Sequence, residues 1–196
     1  LHRGTQLLES YRGLLFSLKP IITRIDGWCV GGGMFMNMCA DISIAAESAK
    51  LSHREQRLVF SGVSFFNALE FLELGPRKAR ELMLTGESIP GTEAEEIGLV
   101  NRAVPEADLD DEVERYCEAI KLLPLDGIVI GEMMTNVAYE TLGIGQSLRN
   151  GIVGHTLATN LRWEDDEYNF VGTREKEDTS AAIEQLHERF ADLGFN

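Results

Sequence analysis

Apolar residues at Leu7, Leu8, Tyr11, Leu14, Leu15 and Leu18 recur at three- and four-residue spacing, which predicts an opening helix that Pro20 ends. The period then changes. Pro20-Ile21-Ile22-Thr23-Arg24-Ile25 predicts a buried strand closed by an Asp26-Gly27 turn. Gly31-Gly32-Gly33 leads directly into a helical segment from Met34 to Cys39, and Ile42 to Ala45 and Lys50 to Ser52 predict two further strands. Phe65, Leu69 and Leu72 predict a helix ending at Gly75, while Pro76 suits the first position of a second helix running to Leu84. Thr92-Glu93-Ala94-Glu95 fits a capping box opening a short helix to Gly98. Leu99 to Val104 predicts a strand closed by Pro105, and Val113, Tyr116, Cys117 and Ile120 predict a helix stopped at Leu123-Pro124.

Beyond Pro124 the pattern is helical throughout. Ile130, Met133, Met134 and Val137 share one face, and Ile183, Leu186, Phe190 and Leu193 share another. Such stripes read as core or subunit interface rather than as a cofactor site. The run Glu164-Asp165-Asp166-Glu167 reads as a solvated face or a helix start. Strands mixed with helices, followed by helices alone, predict an α/β fold with a core over residues 1–122 and a C-terminal helical region over 123–196. The 196 residues suffice for one domain with a helical annex and a real core without disulfides.

Charge narrows the partners. Lys and Arg number 18 against 32 Asp and Glu, a formal net charge of −14, which opposes binding to nucleic acid. It leaves room for a small anionic ligand, because a helix N-terminus or a few cations can hold one locally. Cys29, Cys39 and Cys117 are odd in number and form no C-x-x-C pair, which predicts free thiols in a reducing compartment, no metal and a cytoplasmic location. No apolar run approaches the ~20 residues that span a bilayer, so no membrane insertion is expected.

The glycine triplet is the most informative local chemistry. A strand-turn-helix arrangement with glycine at the turn exposes backbone N–H groups, which can stabilise a developing oxyanion. The segment is neither G-x-G-x-x-G nor a P-loop, because no Lys-Ser/Thr follows it. A tight turn that lets the helix pack on the strand explains the triplet equally well.

Lys19 to Gly33, with Cys39-Ala40-Asp41-Ile42-Ser43-Ile44-Ala45-Ala46-Glu47, resembles the signature of the crotonase superfamily of enoyl-CoA hydratases and isomerases. The resemblance continues in register through Gly75-Pro76-Arg77-Lys78-Ala79, Leu84-Thr85-Gly86 and Ala94 to Asn101. It implies a spiral of β-β-α units, a C-terminal helical region that builds trimers, and acyl-CoA thioester substrates with no cofactor beyond the coenzyme A they carry. The expected partners are the thioester and further copies of the chain, as a homotrimer or dimer of trimers. In the family two backbone N–H groups hold the thioester oxygen as it becomes an enolate. One carries over to Gly32, beside Gly31; the other belongs to an earlier loop without a counterpart here, so the chain is expected to be incomplete at its N-terminus. A mitochondrial-type location is compatible with that incompleteness.

Two acidic positions matter in the hydratases. The first corresponds here to Phe35 and the second to Glu55. Taken alone, Glu55 reads as a surface carboxylate or a partner of Arg54 or Arg57; the register makes it the acid–base group. His53 is expected to point away from Glu55 through the alternation of an extended segment. Trp28, Gly31, Phe35 and Val63 are the candidate substrate-binding residues, with Trp28, Phe35 and Val63 as pocket wall and Val63 in a loop, Ser61 to Phe66, bulkier than the glycine-rich turn usual in hydratases. Arg189 and Phe190 are candidates for the basic and aromatic residues that family members set against a neighbouring subunit's CoA. The expected function is enolate-stabilising chemistry of the enoyl-CoA hydratase/isomerase type with a single acid–base carboxylate. Loss of the first carboxylate favours isomerisation, or lyase or hydrolase chemistry on an unusual acyl group. The competing expectation is a catalytically silent scaffold subunit of the same fold.

Overall fold

The computed structural model describes residues 2–57, 66–158 and 162–195. Helix α1 (His2–Leu15) precedes β1 (Ile22–Ile25), β2 (Trp28–Val30) and α2 (Gly32–Met38); β3 (Ile42–Ala46), β4 (Lys50–Ser52) and α3 (Asn67–Thr85) repeat that order. Strand β5 (Ser88–Pro90), α4 (Gly91–Glu96) and β6 (Arg102–Val104) follow. The chain thus alternates between two three-stranded sheets. Sheet one runs β1-β3-β6, all parallel, with Ile22 opposite Ile42 and Ile44 opposite Arg102. Sheet two runs β2-β4-β5, with β2 and β4 parallel and β4 and β5 antiparallel. The Asp26-Gly27 corner switches the chain from one sheet to the other, and the Gly27 carbonyl is held by the Lys50 N–H at 2.9 Å.

Each short strand buries side chains on the shared interior. In β3 the run Ser43 to Ala46 is buried throughout, the continuous pattern of a strand covered on both faces. Ile25, Cys29, Met34, Ile44, Leu51, Leu82, Ile89, Leu99 and Val100 make the core around the sheets. A second core joins Leu8, Tyr11 and Leu15 of α1 to Phe35, Met38, Phe66, Leu69 and the α7 residues Ile144 and Leu148 (α7, Ile144–Ala158).

Several local expectations need correction. The strands at 28–30 and 88–90 were not expected, because Trp28-Cys29-Val30 runs straight into the glycine triplet and Ser88-Ile89-Pro90 offers a single apolar residue beside a proline. By contrast, the expected division at Gly75 is present: α3 is two helical halves separated where Gly75 takes φ 72° and ψ 155° before Pro76. The strand expected from Leu99 is confined to Arg102–Val104; the Leu99 and Val100 N–H groups both turn back to the Ala94 carbonyl. Thr92 caps nothing, because α4 begins at Gly91 with Pro90 as its N-cap and no side-chain cap bond.

Helices α5 (Leu109–Lys121), α6 (Leu125–Thr141), α8 (Phe170–Lys176) and α9 (Thr179–Ala191) complete the chain. Asn169 and Asp178 cap α8 and α9 by accepting from Gly172 and Ala181 N–H, both at 2.8 Å. The α6 stripe of Ile130, Met133, Met134 and Val137 is 52–62% exposed. The acidic run at Glu164–Glu167 forms an exposed turn. Among the described residues no helix is long and apolar enough to cross a membrane.

Candidate active site

The glycine triplet makes the sharp entry from β2 into α2. Gly31 is the N-cap with φ 56° and ψ −119°, a conformation side-chain-bearing residues avoid. Its carbonyl accepts the first helical bond, from Phe35 N–H at 3.0 Å. The N–H groups of Gly32, Gly33 and Met34 therefore precede the helical ladder, leaving oriented donors at the turn. Space around the turn is uneven. A Cβ on Gly32 would lie 3.0 Å from the Tyr11 hydroxyl, whereas one on Gly33 would meet only Cys29 Sγ, at 4.0 Å.

Glu55 reaches this turn from the bend after β4. Its Oε1 lies 3.5 Å from where a Gly31 Cβ would be, and its side chain is 15% exposed. Burial raises its pKa above the usual glutamate value; the charge of His53 opposes this and that of Glu70 adds to it. Neither Arg54 nor Arg57 is its partner. Arg54 donates to Ser52 Oγ at 3.1 Å and Ser88 Oγ at 2.6 Å, while Arg57 Nε donates to the Thr85 carbonyl.

The partner is His53, contrary to the expected divergence. Residues two apart on an extended chain share a face, so alternation brings His53 and Glu55 together. His53 Nε2 stands 3.3 Å from Glu55 Oε2, at ion-pair distance but off hydrogen-bond alignment. On its other side, Nδ1 lies 2.9 and 3.0 Å from the two carboxylate oxygens of Glu70. His53 is 2% exposed and Glu70 fully buried. Burial lowers the His53 pKa, but the hydrogen bond and charge of Glu70, with the charge of Glu55, turn the net shift upward. Sequence reasoning missed Glu70 altogether. Its signal was position: Phe66, Leu69 and Glu70 stand at i, i+3 and i+4, and all three are buried.

Phe35 lies in the core, 8% exposed, edge-on to the His53 ring at 6.4 Å and 5.3 Å from the Phe66 ring. Trp28 is 62% exposed, with Lys50 Nζ and the Arg54 guanidinium 5.0 and 5.2 Å from its ring centroid. It lines a cleft of about 390 Å³ with Ile25, Gly33, Met36 and Asn37. Val63 lies outside the described residues. Arg189 and Phe190 line a separate cleft of about 320 Å³ with Arg57, Trp163 and Tyr168, and Arg57 stacks on the Phe190 ring at 4.0 Å. Neither cleft includes Glu55, whose Oε1 lies beside the glycine turn.

Cys29 and Cys39 are buried free thiols, both pushed by burial up to about 12, so neither is a nucleophile near neutrality. No cluster of three potential metal-ligating side chains occurs among the described residues.

A model of the enoyl-CoA hydratase/isomerase family matches residues 3–156. A probable mitochondrial enoyl-CoA hydratase of Dictyostelium discoideum is 33% identical over 138 residues, covering 70% of this chain and 50% of that protein. A crotonyl-CoA hydratase of Syntrophomonas wolfei is 38% identical over 103 residues, 52% of this chain and 39% of that protein. Among solved structures, an enoyl-CoA hydratase from Mycobacterium smegmatis superimposes with a TM-score of 0.84 at 28% identity, covering 97% of this chain and 64% of that one. An enoyl-CoA hydratase/isomerase from Xanthobacter autotrophicus Py2 gives 0.82 at 26% identity, covering 95% and 68%. The chain spans about half the length of the curated relatives it matches. Over that length the β-β-α spiral and the helices after it follow the architecture of these structures.

Proposed function

The chain belongs to the enoyl-CoA hydratase/isomerase family, and from that premise we propose that it acts on an acyl-CoA thioester through an enolate, with Glu55 as the acid–base group and the Gly32 N–H as one oxyanion donor. The observation that carries the reading is the approach of the Glu55 carboxylate to Gly31, at the turn where α2 leaves its first N–H groups free of the helical ladder. A base and an oxyanion donor side by side are what proton abstraction next to a thioester carbonyl requires.

Within the family the second oxyanion donor comes from an upstream loop, and the proposal assigns none to this chain. The reaction favoured is a shift of the double bond. Glu55 takes the α proton of a 3-enoyl thioester, the electron pair moves onto the thioester oxygen, and the proton returns at the γ carbon. Phe35, where hydratases carry a second carboxylate, removes the group that would help orient an attacking water. Burial supports the role, since a carboxyl with a raised pKa is a stronger base toward a weakly acidic carbon. Trp28, with its flanking cations, is assigned to the wall that meets the substrate.

The test uses the full-length protein with 2-enoyl- and 3-enoyl-CoA thioesters in deuterated, oxygen-18-labelled water, with products read by mass spectrometry. Deuterium uptake with a moved double bond and no oxygen-18 is expected. Incorporated oxygen-18 would establish hydration and overturn the single-carboxylate isomerase. Bound thioester with neither change would favour a silent subunit.

A further inference from the structure

Behind Glu55 lies a titratable cluster that the proposed reaction does not use. Glu70, fully buried in the first turn of α3, offers both oxygens to His53 Nδ1 at 2.9 and 3.0 Å. A carboxylate can only accept, so Nδ1 carries the proton of that bond. The tautomer is thereby fixed, and Nε2 is the nitrogen left to face Glu55 Oε2 at 3.3 Å. Phe35 packs edge-on against the same ring and Phe66 lies beside Phe35, so aromatic carbon walls this side of the imidazole.

We propose that Glu70 and His53 form a buried relay behind Glu55, in which Nε2 stores the proton that Glu55 takes from the substrate. The idea rests on the acid–base role proposed for Glu55. Written out, the α carbon loses its proton to Glu55 and the bonding pair moves onto the thioester oxygen. Glu55 passes that proton to Nε2, leaving an imidazolium between two carboxylates, and the proton returns through Glu55 to the γ carbon. Nothing is oxidised or reduced, and no proton need come from solvent. His53, 2% exposed, does not meet the substrate and is a positioning residue. The off-axis 3.3 Å separation is of a kind that tightens when a substrate closes the site.

The relay accounts for two oddities together. A carboxylate and an imidazole are buried side by side where an apolar pair would cost less. And the position where hydratases hold a second carboxylate is filled by an aromatic ring that covers the imidazole. The second proton-carrying group has moved from beside the substrate to behind the first. The titratable groups facing the cluster are Glu70 and, acting on it by charge, Glu73 from α3, with Tyr11 from α1 and Glu55 from the bend after β4. α2 contributes only Phe35 to it.

Ring nitrogen-15 NMR of histidine-labelled full-length protein across pH tests the relay without needing turnover, the His53 signal being the one absent from His53→Gln. The expected result is a ring protonated at Nδ1 throughout, with a midpoint above the ordinary histidine value that falls in both Glu70→Gln and Glu55→Gln. In 3-enoyl-CoA isomerisation Glu70→Gln should lower kcat roughly tenfold or more with KM little changed, and move the acidic limb of its pH profile. Glu70→Asp should restore part of both. A His53 midpoint indifferent to Glu55→Gln overturns the relay, and that variant decides the matter if Glu70→Gln does not fold. Glu70→Gln with unaltered kcat and pH profile overturns it too. Linked titration without turnover of either thioester leaves a buried ion pair and overturns the isomerase reading and the relay with it; turnover with unlinked titration overturns the relay alone.

Discussion

Glu55 answers to two opposed demands, since a buried carboxylate costs stability and only an ionised one can accept a proton. Its raised pKa follows from burial first, and the nearby histidine charge moderates it. Glu55→Gln removes the base while keeping the shape, so turnover should fall about 10²–10⁴-fold with thioester affinity retained, as steady-state kinetics and calorimetry would read. The same cluster sets a pH dependence of stability. His53 has a raised folded-state value, so its contribution is complete below the ordinary 6.5 and is lost as pH rises through the folded value. Glu55, raised above 4.5, acts with the same sign over its own window. Urea midpoints should therefore decline as pH rises above about 4.5, and His53→Gln should flatten the part of that slope above about 6.5. The glycine turn separates in the same way. Gly31→Ala forces a side chain into φ 56° and should cost about 1–3 kcal/mol by urea unfolding. Gly33→Ala, with nothing nearer than 4.0 Å, should be neutral or stabilise by up to about 1 kcal/mol.

At the level of elements, the site depends on how tightly the spiral turns stack. Helix α4 starts where Gly91 passes against the Ala46 carbonyl, with its own N–H bound to the Ala49 carbonyl at 3.0 Å. A Cβ there would overlap that carbonyl, so Gly91→Ala should destabilise by about 3 kcal/mol in urea, by prising α4 from the β3–β4 corner. A buried polar junction holds α2 over the strands. Asn37 Nδ2 donates to the Leu99 carbonyl at 3.2 Å, and its Oδ1 accepts from Thr23 and Ser43 hydroxyls. It fixes the height of α2, and with it the Gly32 N–H, relative to β1 and β3. Helix α3 does comparable work from the other side: its first turn delivers Glu70 inward, and its break at Gly75 lets the second half follow a different direction to Gly86.

At the scale of the whole molecule, a row of exposed apolar side chains on the C-terminal helices stands out among the described residues. Ile130, Met133, Met134 and Val137 of α6 stand more than half exposed, with Leu122 and Leu125 beyond them at 85% and 73%. An exposed apolar stripe of this kind is what a contact with another copy of the chain requires, and the trimer implied by the family resemblance is the expectation it tests. Met134→Glu should lower the sedimentation mass of the assembly while leaving far-UV circular dichroism unchanged, because the side chain is 62% exposed in the protomer. An unchanged mass would remove α6 from the interface.

Local periodicity and the glycine triplet were enough to foretell the α/β character, the helices after Pro124, the entry into α2 and the break at Gly75-Pro76, because each depends on neighbours within a few residues. Register against a known family singled out Gly32, Phe35 and Glu55 as candidates, since motif spacing survives in the chain itself. The three-residue strands β2 and β5 were illegible, because tertiary pairing rather than their own pattern makes them strands. Only the folded chain could bring Glu70 to His53 across 17 residues of sequence separation and turn His53 toward Glu55. Sequence determines which groups are available and which face of their own element they occupy. Which groups share one buried space, and hence one proton, depends on burial and on distances between elements that are remote along the chain.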